Sequence, residues 1–294
     1  MAGRPAAGWR QQALPVATVL LAVLLLWYAG AVGLNRAGAI ERVLGNGPYT
    51  LGQLVTTTLN MERPVLPAPH QVLADLVSSL VDWPIDSPRN LLYHVAVTAQ
   101  STLIGFALGT LLGMVLAAAI VHSRTLDRAL LPWIVASQTV PVLAIAPIVL
   151  VILGSLGFSG VAPKATIAMY LCFFPVTVAM VQGLRAPQRI ETELLHTYAA
   201  SRLQAFWLLR LPSALPYLFP SLRVAIAAGL VGAMVAELPT GAQAGLGARL
   251  LTGSYYGNTV GIWSALLMSA LLGLGLTLAV GGVERLALRQ RRPA

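Results

Sequence analysis

Six stretches, at 13–33, 95–121, 129–154, 165–184, 216–236 and 260–283, are almost unbroken runs of apolar side chains. A helix needs roughly 20 such residues to cross a hydrocarbon core about 30 Å thick. A water-soluble fold asks its helices to be apolar on one stripe, not all round. The pattern therefore predicts an all-α, polytopic membrane protein with six transmembrane helices. The charge content agrees: charged residues make up 10% of the chain, against about 25% in a soluble domain. The first run follows Arg4 and Arg10, as a signal peptide would. It exceeds the roughly 7–15 residues of such a peptide's apolar region and ends in Trp27-Tyr28 without a small-residue cleavage pattern, so a retained span is expected.

Orientation follows from where the arginines fall. With an even number of spans, one side holds Arg4, Arg10, Arg124, Arg128, Arg185, Arg189, Arg202, Arg210, Arg285, Arg289, Arg291 and Arg292. The other holds Arg36, Arg42, Arg63, Arg89, Lys164 and Arg249, offset in the first loop by Glu41, Glu62, Asp75, Asp82 and Asp86. Cytoplasmic loops carry the excess of basic residues, so both termini are expected in the cytoplasm. Most of the net charge of +9 is then an orientation signal, and a nucleic-acid partner is unneeded. Arg223 falls in the fifth span; a central arginine costs about 2.5–3.5 kcal/mol on insertion scales, so it is expected to reach for the nearer surface.

On this reading the chain divides into an N-terminal span (1–33), an extracytoplasmic loop with a surface helix near Val72–Trp83 (34–94), a transmembrane core (95–285) carrying a cytoplasmic loop (185–215), and a basic cytoplasmic tail (286–294). Gly105, Gly109 and Gly113 recur every four residues, on one face of the second span, and mark a seam for close helix packing. The third span contains S-Q-T-V-P-V-L-A-I-A-P, where Gln138 and Thr139 precede Pro141 and Pro147 follows. Proline frees backbone carbonyls, which inside a membrane must face protein or a watery cavity. Gln138, Thr139 and Pro141 are thus candidate pathway-lining residues, as are Met234 and Glu237 on the fifth span; a kinked helix satisfied by its neighbours is the alternative. Glu237 suits either a hydrogen bond across an outer gate or the cap of a loop turn.

The loop at 185–215 is too charged to cross a bilayer and too apolar to be a floppy linker. Pro187 suits a first helical turn, and Glu191 and Glu193 complement the positive pole of that helix. Leu194, Leu195, Tyr198 and Ala199 are spaced to build one apolar face. Ser201 with Gln204 is a capping-box pattern that starts a second helix, expected to stop at Pro212. The loop reads as a helical elbow with an exposed apolar knob. Amphipathicity alone also fits an interfacial helix resting on lipid.

Its spacing adds something further. Glu193-Leu194-Leu195, then Ala199, then Leu209, Leu211 and Pro212 resemble the cytoplasmic "EAA" loop of ABC importer permeases. The stretch from Ala199 to Glu237, with Leu66–Val72 and the G-A-Q-A-G-L-G of 241–247, is similar to the binding-protein-dependent permeases for nitrate, sulfonates, taurine and thiamine precursors. The resemblance covers roughly 66–285. It implies a type I importer fold in which the elbow docks on a cytoplasmic ABC ATPase dimer. The docking residues would be Glu193, Leu194, Leu195, Tyr198, Ala199, Ala200, Ser201, Leu211 and Pro212. It further implies a second permease subunit, expected as a homodimer, and an extracytoplasmic substrate-binding protein. Two positions depart from the family pattern: Ala199 stands where glycine is usual, and Leu194 and Leu195 where alanines are. Alanine resists a left-handed backbone that glycine adopts freely.

The chain has no G-x-x-x-x-G-K-[ST] segment, since Lys164 follows G-V-A-P and precedes alanine, so ATP is expected to be bound by a partner and no cofactor or metal by this chain. Cys172 is the single cysteine, which excludes an internal disulfide. G-F-S-G at 157–160 matches an intramembrane serine-protease motif, but its Ser159 lies in an outer loop while the histidine downstream, His196, lies in the elbow. The stronger rival is an ion-coupled secondary transporter or channel, which would place ionisable groups near the span centres. Here those centres lack them.

Overall fold

The computed structural model describes residues 9–45, 48–239 and 244–289. Arg4, Arg291, Arg292 and the Gly241-Ala242-Gln243 part of the glycine-rich segment lie outside the described residues. All regular structure among the described residues is helical. Among the described residues five helices are long and apolar enough to span a membrane, or six if one bent pair counts as a single span.

The chain forms two compact units, one of Met1–Pro84 with Leu250–Leu266 and one of Ile85–Arg249 with Leu267–Ala294. In the first, α1 (Trp9–Ala39) outruns the expected span and continues through a widened π turn at Ile40–Leu44. Its apolar window is 6% buried, as a lipid-facing helix should be. Two short helices follow, α2 (Leu51–Leu59) and α3 (Pro69–Val81). The second covers Val72–Val81 of the helix expected at Val72–Trp83; the first was not legible. Asn35 is fully buried and organises the turn that joins them. Its amide donates to the carbonyls of Leu66 (2.8 Å) and Thr58 (3.3 Å), and its Oδ1 accepts from the Val65 N–H at 2.7 Å. Trp27 donates to the Pro67 carbonyl and packs on Trp263, while the Ser264 hydroxyl reaches the Val72 carbonyl.

The second unit is built on three helices, α4 (Leu91–His122), α7 (Val161–Leu184) and α10 (Leu211–Ala236). Gly105, Gly109 and Gly113 all face α7, where Cβ atoms on them would lie 2.4 Å from Ala168 Cβ, 2.5 Å from Cys172 Cβ and 2.9 Å from the Phe173 carbonyl. The helices therefore touch backbone to backbone, which is how helices gain packing energy where lipid offers no hydrophobic drive. Cys172 fills the centre, its thiol donating to the Ala225 carbonyl at 3.1 Å. Gly183 and Ala214 bring α7 and α10 equally close at the other end.

The third span is broken. α5 (Arg124–Ala136) and α6 (Val142–Ser155) meet at 103°, with a single 3-10 turn, Ser137–Thr139, between them. Pro141 cannot donate to a preceding carbonyl, and it starts the new helix instead. The fifth span also differs from expectation. Helix does not stop at Pro212; it runs from α9 (Arg202–Ala205) through a π turn at Phe206–Arg210 into α10. The widened turn absorbs the hydrogen bond Pro212 cannot make, so the proline sits at the start of α10 without breaking the rod. Arg223 is not left to seek the surface alone: its guanidinium pairs with Glu284 of α11 (Thr259–Arg289).

Candidate functional site

Two polar constructions stand at opposite ends of α7 and α10. The first is the elbow. Arg185, which ends α7, pairs with Asp127 of α5 at 2.9 Å and anchors the chain as it leaves the core. The helix α8 (Arg189–Thr197) follows, with the Glu191 carboxylate accepting from the Gln188 N–H at 2.7 Å. Pro187 lies just before that helix rather than in its first turn. Ile190, Leu194 and Tyr198 project on one side at intervals of four, 70%, 56% and 78% exposed. Large apolar groups held out on a helix leave a surface for a partner or lipid to cover. Ile190 belongs to this knob although its spacing to Leu194 and Tyr198 went unread in the sequence. Leu195 is half-buried, and Leu211 packs against the core with Pro212 beside it, so these three stand behind the exposed surface. Glu193 is taken by Arg189 at 2.7 Å, an exposed pair of little energetic weight.

α8 closes in a Schellman turn: the Ala200 N–H reaches the Leu195 carbonyl at 3.0 Å, and the Ala199 N–H the His196 carbonyl at 3.0 Å. That closure needs a left-handed residue, and Ala199 supplies it at φ +52°, the one non-glycine with positive φ among the described residues. The left-handed backbone expected to be avoided at Ala199 is thus adopted. The cost for alanine is about 1–2 kcal/mol, which glycine would not bear. Ala199→Gly is accordingly expected to stabilise the elbow by about 1 kcal/mol, seen as a higher thermal midpoint; a lower midpoint would show the turn is not held this way. The next helix opens with Ser201, whose hydroxyl accepts from the Gln204 N–H while the Gln204 side chain accepts from the Ser201 N–H.

The second construction is a buried cluster at the far end. Glu237 caps α10 one residue past its last turn and is fully buried. Its carboxylate accepts from the Thr98 hydroxyl at 3.0 Å, the Gly247 N–H at 2.9 Å and the Lys164 ammonium at 3.4 Å. Lys164 donates a shorter bond, 2.7 Å, to the Ala244 carbonyl. Thr98 also accepts from the Leu246 N–H (2.9 Å), and His94 Nδ1 from the Gly245 N–H (3.0 Å). Side chains of α4, α7 and α10 thus grip the turn at 244–247. Gly245, at φ +126°, lies so close that a Cβ there would fall 2.1 Å from the Glu237 carboxyl. Burial pushes the Glu237 carboxyl up from its ordinary value, and Lys164, Gly247 and Thr98 oppose that shift. Of the two roles foreseen for Glu237, the structure displays the loop cap. Lys164, Thr98 and His94 were missed; the only sequence signal was an isolated lysine and an isolated glutamate each near an end of a span.

The remaining candidates lie apart from both. Gln138, Thr139 and Pro141 are exposed at the break between α5 and α6, and Met234 is half-buried on α10. The Thr139 hydroxyl bonds back to the Ala136 carbonyl at 2.8 Å, and Tyr170 of α7 donates to the Ser137 carbonyl. The Val140 N–H donates to the Ser137 carbonyl at 3.4 Å and the Pro141 carbonyl accepts from the Ala144 N–H at 2.9 Å, while the Val140 side chain stays exposed.

The family model for binding-protein-dependent transport system inner membrane components matches residues 109–292. The formylaminopyrimidine transport permease protein ThiX of Halalkalibacterium halodurans is 33% identical over 231 residues, which is 78% of this chain and 86% of that one. The riboflavin transport system permease protein RibX of Chloroflexus aurantiacus is 32% identical over 225 residues, 76% and 80% of the two chains. The taurine transport system permease protein TauC of Escherichia coli is 26% identical over 247 residues, 80% and 86%.

Proposed function

This chain belongs to the family of binding-protein-dependent transport system inner membrane components, and on that premise we propose that it is the permease subunit of an ATP-driven importer whose elbow receives a separate ABC ATPase. The chain is a multi-pass inner-membrane transport component. The observation that carries the finer reading is the exposed row of Ile190, Leu194 and Tyr198 on a short helix anchored to the core by Arg185–Asp127. A knob so anchored transmits a push: closure of the ATPase dimer on ATP moves α8, and the α7–α10 pair moves with it. Both termini and the elbow face the cytoplasm on this reading, as the arginine distribution supports.

Two permease copies pair around the pathway, and an extracytoplasmic binding protein delivers a small solute of the kind its relatives' names mention, from aminopyrimidine to taurine. The open break at 138–141 supports this arrangement. Non-helical backbone at membrane depth is tolerated only against protein or a water-filled cavity. The buried Lys164–Glu237 pair is a feature that would suit an ion-coupled carrier instead. Its groups are committed to Thr98, Ala244 and Gly247, which favours a structural role. The permease reading is tested by whether the ATPase stays bound to the wild-type chain and leaves variants altered on the α8 knob.

A further inference from the structure

His94 stands at the start of α4, 3% exposed, and both nitrogens of its ring are engaged. Nε2 lies 2.8 Å from the Pro88 carbonyl, and Nδ1 lies 3.0 Å from the Gly245 N–H. A carbonyl can only accept and a peptide N–H can only donate, so Nε2 carries the proton and Nδ1 is bare. The geometry admits one form of the ring, a neutral imidazole of fixed tautomer. Turning the ring over does not rescue a protonated one, because that form has an N–H on both nitrogens. One turn further along α4, Thr98 accepts the Leu246 N–H at 2.9 Å, and Glu237 accepts the Gly247 N–H at 2.9 Å. Three successive peptide N–H groups of the turn are thus each held by a different side chain. His94 is the one of the three holders whose ordinary pKa, about 6.5, lies near neutrality.

The surroundings oppose a charge on this ring. The charges that act on it, Lys164 of α7 and Arg249 of the helix after the turn (Leu246–Tyr256), are both positive. Tyr93, beside it on α4, meets it edge-on at 5.4 Å. Glu237, at the end of α10, directs its bonds to Thr98, Gly247 and Lys164 rather than to the ring. A protonated Nε2 would keep the Pro88 carbonyl, but a proton on Nδ1 would set two N–H groups against each other. It would also add a third positive charge to a buried place. We propose that His94 is an acid-sensitive latch: protonation makes it surrender Gly245 and loosens the 244–247 turn from α4. A ring that is neutral while the turn is closed takes up its proton when the turn lets go. Acid therefore favours the released turn, and the closed turn has its full stability only above about pH 6.5. The chemistry of the latch is independent of the permease reading. Only its side rests on that reading, which puts the turn at the outer end of the core, exposed to the pH of the extracytoplasmic solution.

The test is hydrogen–deuterium exchange of the purified full-length chain in nanodiscs, read on peptides that cover 244–249. After correction for intrinsic exchange, protection in wild type is expected to fall about tenfold between roughly pH 7.5 and 5.5. His94→Asn keeps an oxygen at the place of Nδ1 but cannot titrate, so it should make protection independent of pH. His94→Gln is a second non-titrating variant, should the first fold poorly. A chain left with His94 as its sole histidine, by His70→Gln, His122→Gln and His196→Gln, should respond as wild type does. A response that survives in either His94 variant would place the titrating group elsewhere, above all at Glu237, and overturn the proposal. So would the lack of a response in wild type or in the sole-histidine chain. A parallel loss of protection along the Gly105–Gly113 seam would mean general acid unfolding, and would overturn it as well. ATPase retention, measured separately on the same sample, reports on the permease assignment alone, so the two can fail independently.

Discussion

Gly109→Leu is expected to yield little or no folded protein. The residue stands at the middle of the α4–α7 contact, where a Cβ would lie 2.5 Å from Cys172 Cβ and 2.8 Å from the Met169 carbonyl. Neither obstacle is the mobile end of a side chain, so the two helices must separate along their length. Overpacking a well-packed core usually costs about 1–3 kcal/mol, and a clash against backbone belongs at or above the top of that range. Leucine's better helix propensity returns only about 1 kcal/mol. Gly154→Leu is the matched control, because nothing lies within 4 Å of a Cβ there. The measurement is the yield of monodisperse protein in mild detergent. Equal yields from the two variants would mean that the seam does not hold the core together.

The second large effect is expected at Lys164 and Glu237. Removing one member of a buried pair leaves the other charge unanswered, which typically costs about 3–5 kcal/mol. Lys164→Met strands a carboxylate that keeps Thr98 and Gly247; Glu237→Gln strands an ammonium that keeps the Ala244 carbonyl. Because the ion-pair distance of 3.4 Å is long and each partner retains other bonds, the lower end of the range is expected. The double variant should cost less than the sum of the singles, since it strands no charge. Thermal denaturation of the four proteins in detergent measures this cycle. Strict additivity would show that the two groups act separately and that the 244–247 turn is gripped by other means.

How far the sequence discloses such features depends on how local they are. Crossing a bilayer is a property of about 20 consecutive residues, so the spans could be read directly, although α1 runs on to Ala39 and α4 begins at Leu91 rather than 95. The capping box at Ser201 involves neighbours three apart and was equally legible. Pro141 signalled a disturbance in the third span, but the 103° bend depends on what α6 packs against. Its Ala146 lies on Ile167 of α7 and Ala236 of α10, which are distant in sequence. Pro212 misled for a related reason: a proline's missing bond looks fatal to a helix until a π turn upstream absorbs it. The Lys164–Glu237 pair joins residues 73 apart, and no periodicity encodes such a meeting. The strain at Ala199 hid for the opposite reason. Alanine's ordinary preference argues against a left-handed backbone, and only the Schellman closure of α8 imposes it.

The most direct test of the account is co-purification of the wild-type chain with its cognate ABC ATPase, beside Leu194→Glu and Tyr198→Glu. Both side chains are exposed on the α8 knob, and neither supports the core, so the variants should fold. A buried carboxylate at the docking surface would cost several kcal/mol, enough to lower affinity by a hundredfold or more, on the order of 3 kcal/mol. Wild type is expected to retain the ATPase and to import solute only with ATP, and both variants to elute normally but lose the ATPase and uptake. Wild-type protein that binds no ATPase, with uptake that survives ATP depletion, would contradict it.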